Sequence, residues 1–435
     1  MQLGAATGVQ AHADLDSTTP AADAVLAVAP SSVDLDFTEP VEIAVGAIRV
    51  FAADGTRVDA GPLSHPAGDD RTAAVALRPG LTAGTYLVAW RIVSKDSHPV
   101  AGSYTFSVGR RGPVATGVFG TTDTSGLPTL LSASRFAVFG GVLMAGGTLS
   151  FLLLCWPGGW SRDRTRALLS TSLIVALIGT VVAGLVQAAY DAGRGLDGAK
   201  DPQVLQSLAQ TRPGQAYGVR IALLLAVIVL LRGSLGDREW RPPSQGTAVA
   251  ASAAMAAVLP TLSIAGHAGA GDGVVYRLPL DVAHLAAATL WAGGLPMVGL
   301  VVLSRLGPDD RERLEVVRRF SRLAGWCVGV LVATGVLQAW AQVGTWDALG
   351  GTPYGELLLG KIGLLTLILS LAAVSRAWVR GRLAEDRQDG TAPGWGGVAT
   401  VPSATALRLS VLGEALLGVA VVAVTAALTG TAPPT

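Results

Sequence analysis

Residues 280–303 read LDVAHLAAATLWAGGLPMVGLVVL. A helix of ~20 apolar residues crosses the ~30 Å hydrocarbon core of a bilayer. This run is long enough, so it predicts a membrane-spanning helix. Asp281 and His284 then lie in lipid, where an ionisable group is costly and marks a functional site by default. Seven further apolar runs stand at roughly 136–156, 167–189, 217–232, 247–266, 320–342, 356–378 and 406–429. Each is bounded by Arg clusters, Pro or Gly. Together they predict a C-terminal polytopic α-helical membrane domain of about eight transmembrane helices over residues 135–435.

The composition agrees. Half of the 435 residues are hydrophobic, 14% are charged, and the net charge is +1. That excludes a disordered chain and leaves no basic surface for nucleic acid. The lipid bilayer is the partner the composition requires. Two Cys exclude a disulfide-rich scaffold, and four Met argue against a Met-rich metal relay. No Gly-x-x-x-x-Gly-Lys-Ser/Thr motif appears, so ATP drive is unsupported. Sixteen Arg, among them Arg162, Arg238, Arg313 and Arg380, fall in the connections on one side. Only Arg194, Lys200, Arg212 and Arg277 fall on the other. The basic side is the cytoplasmic one. The expected protein is a multi-pass cell-membrane protein with its N-terminal domain and C-terminus extracytoplasmic.

Residues 12–109 hold no lipid-length run. They read as short strands at Ser32–Thr38, Ala47–Ala53, Ala73–Pro79, Gly84–Ser94 and Ala101–Gly109, separated by turn signals such as Asp54-Gly55. Val33, Leu35 and Phe37 alternate onto one face. The pattern predicts an N-terminal Ig-like antiparallel β-sandwich. A Gly/Thr/Ser/Pro-rich linker, 110–134, follows it. Residues 1–11 end in Val9-Gln10-Ala11, which suits signal cleavage before His12, although a basic start and a full apolar core are missing. The segment reads as a truncated or remnant signal.

The five His are His12, His65, His98, His267 and His284. If cleavage frees His12, its amine and imidazole chelate one cation. Asp96 and His98, two apart, point to the same side of an extended strand. Imidazole, amine and carboxylate suit Cu(II). The competing reading is a surface Asp-x-His turn. His65 sits in a Pro/Gly/Asp-rich loop and is expected to be solvated. In the membrane, Ser263 and His267 share one helix face, and Asp281, His284, Ala288 and Trp291 share another. Both imidazoles are expected near the outer surface, joined by a Gly-rich loop. Lys361 and Arg220 are expected to snorkel outward. Glu414 lies deeper, as a pathway carboxylate or half of a structural pair. Cys155 and Cys327 fall near the inner ends of their spans, where two thiolates suit Cu(I) or two thiols simply pack. Pro296 after Gly293-Gly294 predicts a bend.

The segments FTEPV (37–41), GTYLVAWRIV (84–93) and SKDSHP (94–99) resemble the CopC copper-binding family. That resemblance implies a β-sandwich holding Cu(II) through His12, Asp96 and His98. The segments GHA (266–268), HLAAATLWAGGL (284–295), RFSRLA (319–324) and TPYGEL (352–357), with Lys361 and Glu414, resemble the CopD copper-transport family. Order and spacing are similar to fused CopC–CopD proteins. The resemblance implies copper import, not enzymatic catalysis, with His267 and His284 as ligands for Cu(I) or Cu(II). An external reductant or a copper chaperone is the implied additional partner. Two other functions stay open at this point. One is a membrane-tethered copper-sequestering protein. The other is a haem-binding membrane redox protein with the two His as axial ligands.

Overall fold

The computed structural model describes residues 14–42, 47–94, 99–115, 126–193, 195–235, 242–266, 274–343, 346–388 and 401–431. Nine strands come first: β1 (Leu15–Thr19), β2 (Val25–Leu26), β3 (Ser32–Phe37), β4 (Val41–Glu42), β5 (Ile48–Phe51), β6 (Asp59–Ser64), β7 (Thr72–Leu77), β8 (Gly84–Ser94) and β9 (Pro99–Val108). One sheet has the order β1-β3-β7-β6. The other runs β2-β9-β8-β4, with β5 also paired to β8. All pairs are antiparallel except the two-residue β2–β9 pair.

The alternation in β3 works as the pattern requires. Val33, Leu35 and Phe37 are buried while Ser32, Asp34 and Asp36 face outward. They pack with Ile48, Val50, Val88, Ile92 and Phe106 in one core between the sheets. Phe106 stacks on Tyr86 at 5.4 Å between ring centroids. The short strands β1, β2, β4 and β6 carry no periodic signal. In β6 (DAGPLS), Gly61 has φ +76° and Pro62 lacks an N–H, which reads locally as a turn. Tertiary contacts hold it instead. Buried Asp59 accepts from the Val50 amide at 2.9 Å and from Arg57 Nε, and β7 supplies a paired edge.

Eleven helices follow: α1 (Leu127–Leu154), α2 (Asp163–Asp191), α3 (Pro202–Gln210), α4 (Arg212–Leu235), α5 (Gln245–Ile264), α6 (Val274–Ala292), the single turn α7 (Gly294–Pro296), α8 (Asp310–Val343), α9 (Trp346–Gly351), α10 (Pro353–Gln388) and α11 (Val401–Leu428). Among the described residues, eight are long and apolar enough to cross a membrane, counting 274–302 as one. They coincide with the eight apolar runs. Where α1 crosses α6, Gly147 meets Gly293. A Cβ on Gly147 would fall 2.5 Å from the Gly293 backbone, so neither position tolerates a side chain. Just beyond, Pro296 ends α7 and the chain continues as a π-helical turn, Met297–Val302.

The two ends of the bundle differ chemically. At one end Trp156 Nε1 donates to Glu312 at 2.8 Å, Arg164 reaches the Leu300 carbonyl, and Arg313 binds Asp310 and the Pro308 carbonyl. At the other end, Arg135 near the start of α1 donates to the Thr429 carbonyl just past α11 and to Gln187 near the end of α2. The β-sandwich meets this second end, where Arg91 of β8 reaches Tyr190 of α2.

Phe106 is fully buried between the sheets. Phe106→Ala is expected to destabilise the sandwich by about 3–5 kcal/mol. Hydrogen-exchange mass spectrometry of the full chain should show protection lost in β8 and β9 and retained in α1 and α2.

Candidate functional site

Two rungs between antiparallel helices build the site. On α6, Asp281 and His284 are three apart. On α8, Thr334 and Gln338 are four apart, and both pairs lie on facing sides. Gln338 Nε2 approaches Asp281 Oδ1 at 3.4 Å, and His284 Nδ1 lies 2.8 Å from Thr334 Oγ1. The direction of the second bond depends on where the single Thr334 hydroxyl hydrogen goes. The Val330 carbonyl lies 2.6 Å from that hydroxyl. With the hydrogen given there, the Thr334 oxygen accepts from His284 in the tautomer whose Nδ1 carries a hydrogen. In the neutral ring Nε2 then holds the lone pair. A metal-binding imidazole is oriented in this way, by a bond through its other nitrogen.

His284 faces open space. A cavity of about 370 Å³ is lined by Ser263, Asp281, His284, Gln338, Tyr354 and Lys361 among others. A smaller one of about 80 Å³ adjoins it, lined by His284, Trp291, Lys361 and Glu414 within an apolar wall. His284 and Lys361 border both. The order of side chains along α6, Asp281 then His284 then Trp291, matches the passage from the larger cavity to the smaller. Glu414 is 4% exposed, and Trp291 is 5% exposed.

Several expectations need correction. α6 starts at Val274, so His284 lies ten residues, or about 15 Å, along the helix. Lys361 does not reach out to the rim. α10 starts at Pro353, and the Lys361 side chain lines both cavities beside His284. Arg220 does not snorkel either. It is 3% exposed, donates Nε to Thr261 Oγ1 at 3.0 Å and Nη2 to the Thr261 carbonyl at 2.6 Å, and lies over the Tyr217 ring. The α4–α5 contact supplies acceptors that a lone helix lacks. His65 is half-buried, with Nδ1 2.8 Å from the Thr72 carbonyl. Cys155 and Cys327 are both buried free thiols in one apolar core. They border neither cavity.

His12, Asp96, His98 and His267 lie outside the described residues. The described β8–β9 register ends with Val93 opposite Pro99. Among the described residues no group of three His, Cys, Asp or Glu could hold a metal ion. The sequence reading missed Thr334, Gln338 and Tyr354. Thr334 and Gln338 were visible as two polar residues at helical spacing inside an apolar run, but only the α6–α8 pairing gives them a role.

Comparison with known proteins agrees with this architecture. The CopC domain matches residues 15–109, the N-terminal domain of copper resistance protein D-like proteins matches 124–278, and copper resistance protein D matches 314–428. The copper transport protein CutJ of Bacillus subtilis is 30% identical over 84% of this chain and 67% of its own length. Copper resistance protein D of Pseudomonas syringae pv. tomato is 28% identical over 56% of this chain and 80% of its own. The crystal structure of CopC from Methylosinus trichosporium OB3b covers 22% of this chain and 93% of its own, at 30% identity and a TM-score of 0.20. The chain belongs to the copper transport and resistance family that joins a CopC domain to a CopD membrane domain. Membership implies copper binding, and its relatives are named for transport and resistance rather than catalysis.

Arg220→Ala removes both bonds between α4 and Thr261. Hydrogen bonds from a charged donor are worth about 1.5–3 kcal/mol. The variant is expected to unfold several degrees lower in detergent than the parent, measured by differential scanning fluorimetry.

Proposed function

We propose that the protein imports copper across the cytoplasmic membrane. The outer sandwich captures Cu(II) at His12, Asp96 and His98, and passes it to the cavity that His284 borders. The observation that carries this reading is the His284–Thr334 bond, which holds one nitrogen and leaves Nε2 as a ligand. Asp281, His284 and Gln338 offer nitrogen and oxygen donors, which suit Cu(II) at the mouth. His267, three residues past α5, is the second imidazole. Ser263 lines the same cavity. Deeper, Trp291, Lys361 and Glu414 line the continuation. Cys155 caps the inner end of α1 and Cys327 lies midway along α8, both buried, and thiolates suit Cu(I). Binding there as Cu(I) takes one electron from an external reductant, and a copper chaperone receives the ion on release.

The sandwich and the C-terminus are extracytoplasmic in this reading. Supporting this, Arg135 ties together the start of α1, the end of α2 and the end of α11 on the side that carries the sandwich. The opposite end carries Arg162, Arg164 and Arg313, as the positive-inside rule requires. The working units are a remnant signal over 1–11, the sandwich over 12–109, a linker over 110–134 and the membrane domain over 135–435.

Radioactive copper uptake by proteoliposomes tests the reading. His284→Ala is expected to abolish accumulation while inserting normally. Thr334→Val keeps the shape but removes the acceptor, and loss of such a partner costs about 10–100-fold in metal affinity; Thr334→Ser should retain uptake. Accumulation by His284→Ala at the parent rate would remove His284 from the path. Copper held by the sandwich with no uptake at all would identify a tethered store instead.

The outer site has its own test. A protein whose first residue is His12 should bind one Cu(II) with nitrogen hyperfine structure in electron paramagnetic resonance. Extending the chain by one residue before His12 should weaken binding sharply. Equal affinities would remove the amine from the ligand set.

A further inference from the structure

We infer that Arg91 is a positioning residue that fastens the end of the β8–β9 pair in the sandwich to the outer end of the membrane domain. The inference rests on the transport reading above and adds to it the element that makes hand-over local. Arg91 pairs with Ala101, two steps from the Val93–Pro99 pair at the end of the ladder. Two residues along a strand span about 7 Å. Whatever holds Arg91 therefore also holds the strand ends at Val93 and Pro99, between which Asp96 and His98 stand in the sequence.

Arg91 is held by the last turn of α2. Its Nε donates to the Tyr190 carbonyl at 3.1 Å, and its guanidinium lies 5.0 Å from the Tyr190 ring centroid. Carbonyls in the last turn of a helix lack partners within it and carry the negative end of the helix dipole, so a cation is the matching group. The Tyr190 carbonyl also accepts from the Gly193 amide, which uses its second lone pair. Gly193 has φ +61°, a backbone that closes the helix, and a Cβ there would fall 3.0 Å from Arg91 Cδ. Glycine at 193 thus serves both the helix end and the approach of Arg91. Glu42, which pairs with Val93, lines one small pocket together with Gln187 and Asp191.

This docking point connects to the cavity rim by hydrogen bonds. Gln187 Nε2 donates to Asp191 Oδ1 at 2.8 Å. Arg135 donates from Nη2 to Gln187 Oε1 at 3.3 Å and from Nη1 to the Thr429 carbonyl at 3.1 Å. Thr429 lines the same cavity as Asp281 and His284. The end of α2 that receives Arg91 is therefore tied, through one arginine, to the cavity wall. Without an anchor, the connection from β9 to α1 lets a domain range over about 25 Å. Fastening raises the effective concentration of bound copper at the mouth.

The test uses the full chain in lipid nanodiscs and proteoliposomes. Val28→Cys and Ala209→Cys, both exposed, take spin labels, while buried Cys155 and Cys327 escape them. The parent should give one narrow distance, Arg91→Ala a broad distribution, and Arg91→Lys, which keeps a cation over Tyr190, an intermediate one. In uptake, Arg91→Ala should raise the half-saturating copper concentration about tenfold, from the loss of one hydrogen bond and one cation–π contact, with the maximal rate retained. A merely structural role would lower the maximal rate instead. A narrow distance in Arg91→Ala overturns the docking. A broad distance with unchanged half-saturation overturns the positioning role. No uptake by the parent overturns the transport reading and the hand-over role with it, while the distances still report whether Arg91 docks.

Discussion

Hydrocarbon offers no hydrogen bonds, so an ionisable side chain inside a membrane domain needs a partner on another helix or a cavity to face. That constraint organises this molecule. Arg220 finds Thr261 across the α4–α5 contact. Arg135 draws together α1, α2 and α11. Asp281 and His284 find Gln338 and Thr334 across the α6–α8 contact. Each pairing fixes a helix register, and the last leaves one imidazole nitrogen turned to an open space.

Close packing supplies the rest of the geometry. Gly147 and Gly293 let α1 and α6 touch backbone to backbone, and the chain then passes through Pro296 into a π-helical turn. The departure from regular helix occurs just beyond Trp291 and the smaller cavity. Helix breaks at membrane depth are tolerated where protein or a cavity surrounds them. The break and the cavity are therefore two aspects of one local arrangement around α6.

The sandwich relies on a different force. Its core is a layer of alternating residues, with Val33, Leu35 and Phe37 against Ile92 and Phe106, and burial of that apolar surface holds the two sheets together. Its link to the membrane part includes a polar contact, the Arg91 guanidinium on Tyr190 at a helix end.

Much of this was legible in the chain itself. The eight apolar runs, the strand at 32–37 and the hairpin of β8 and β9 follow from lengths and periods alone, because a helix in lipid and a half-buried strand each demand a fixed repeat. The ionisable residues Asp281, His284, Lys361 and Glu414 stood out because lipid makes them expensive. Their surroundings did not follow. Lys361 and Arg220 each read as free to reach the surface. Only the assembled helices showed that one lines two cavities and the other is bonded to Thr261. The direction of the His284 bond depends on a threonine 50 residues away giving its single hydrogen elsewhere. Periodicity is a property of one segment and survives in the sequence; partnership between segments exists only once they pack.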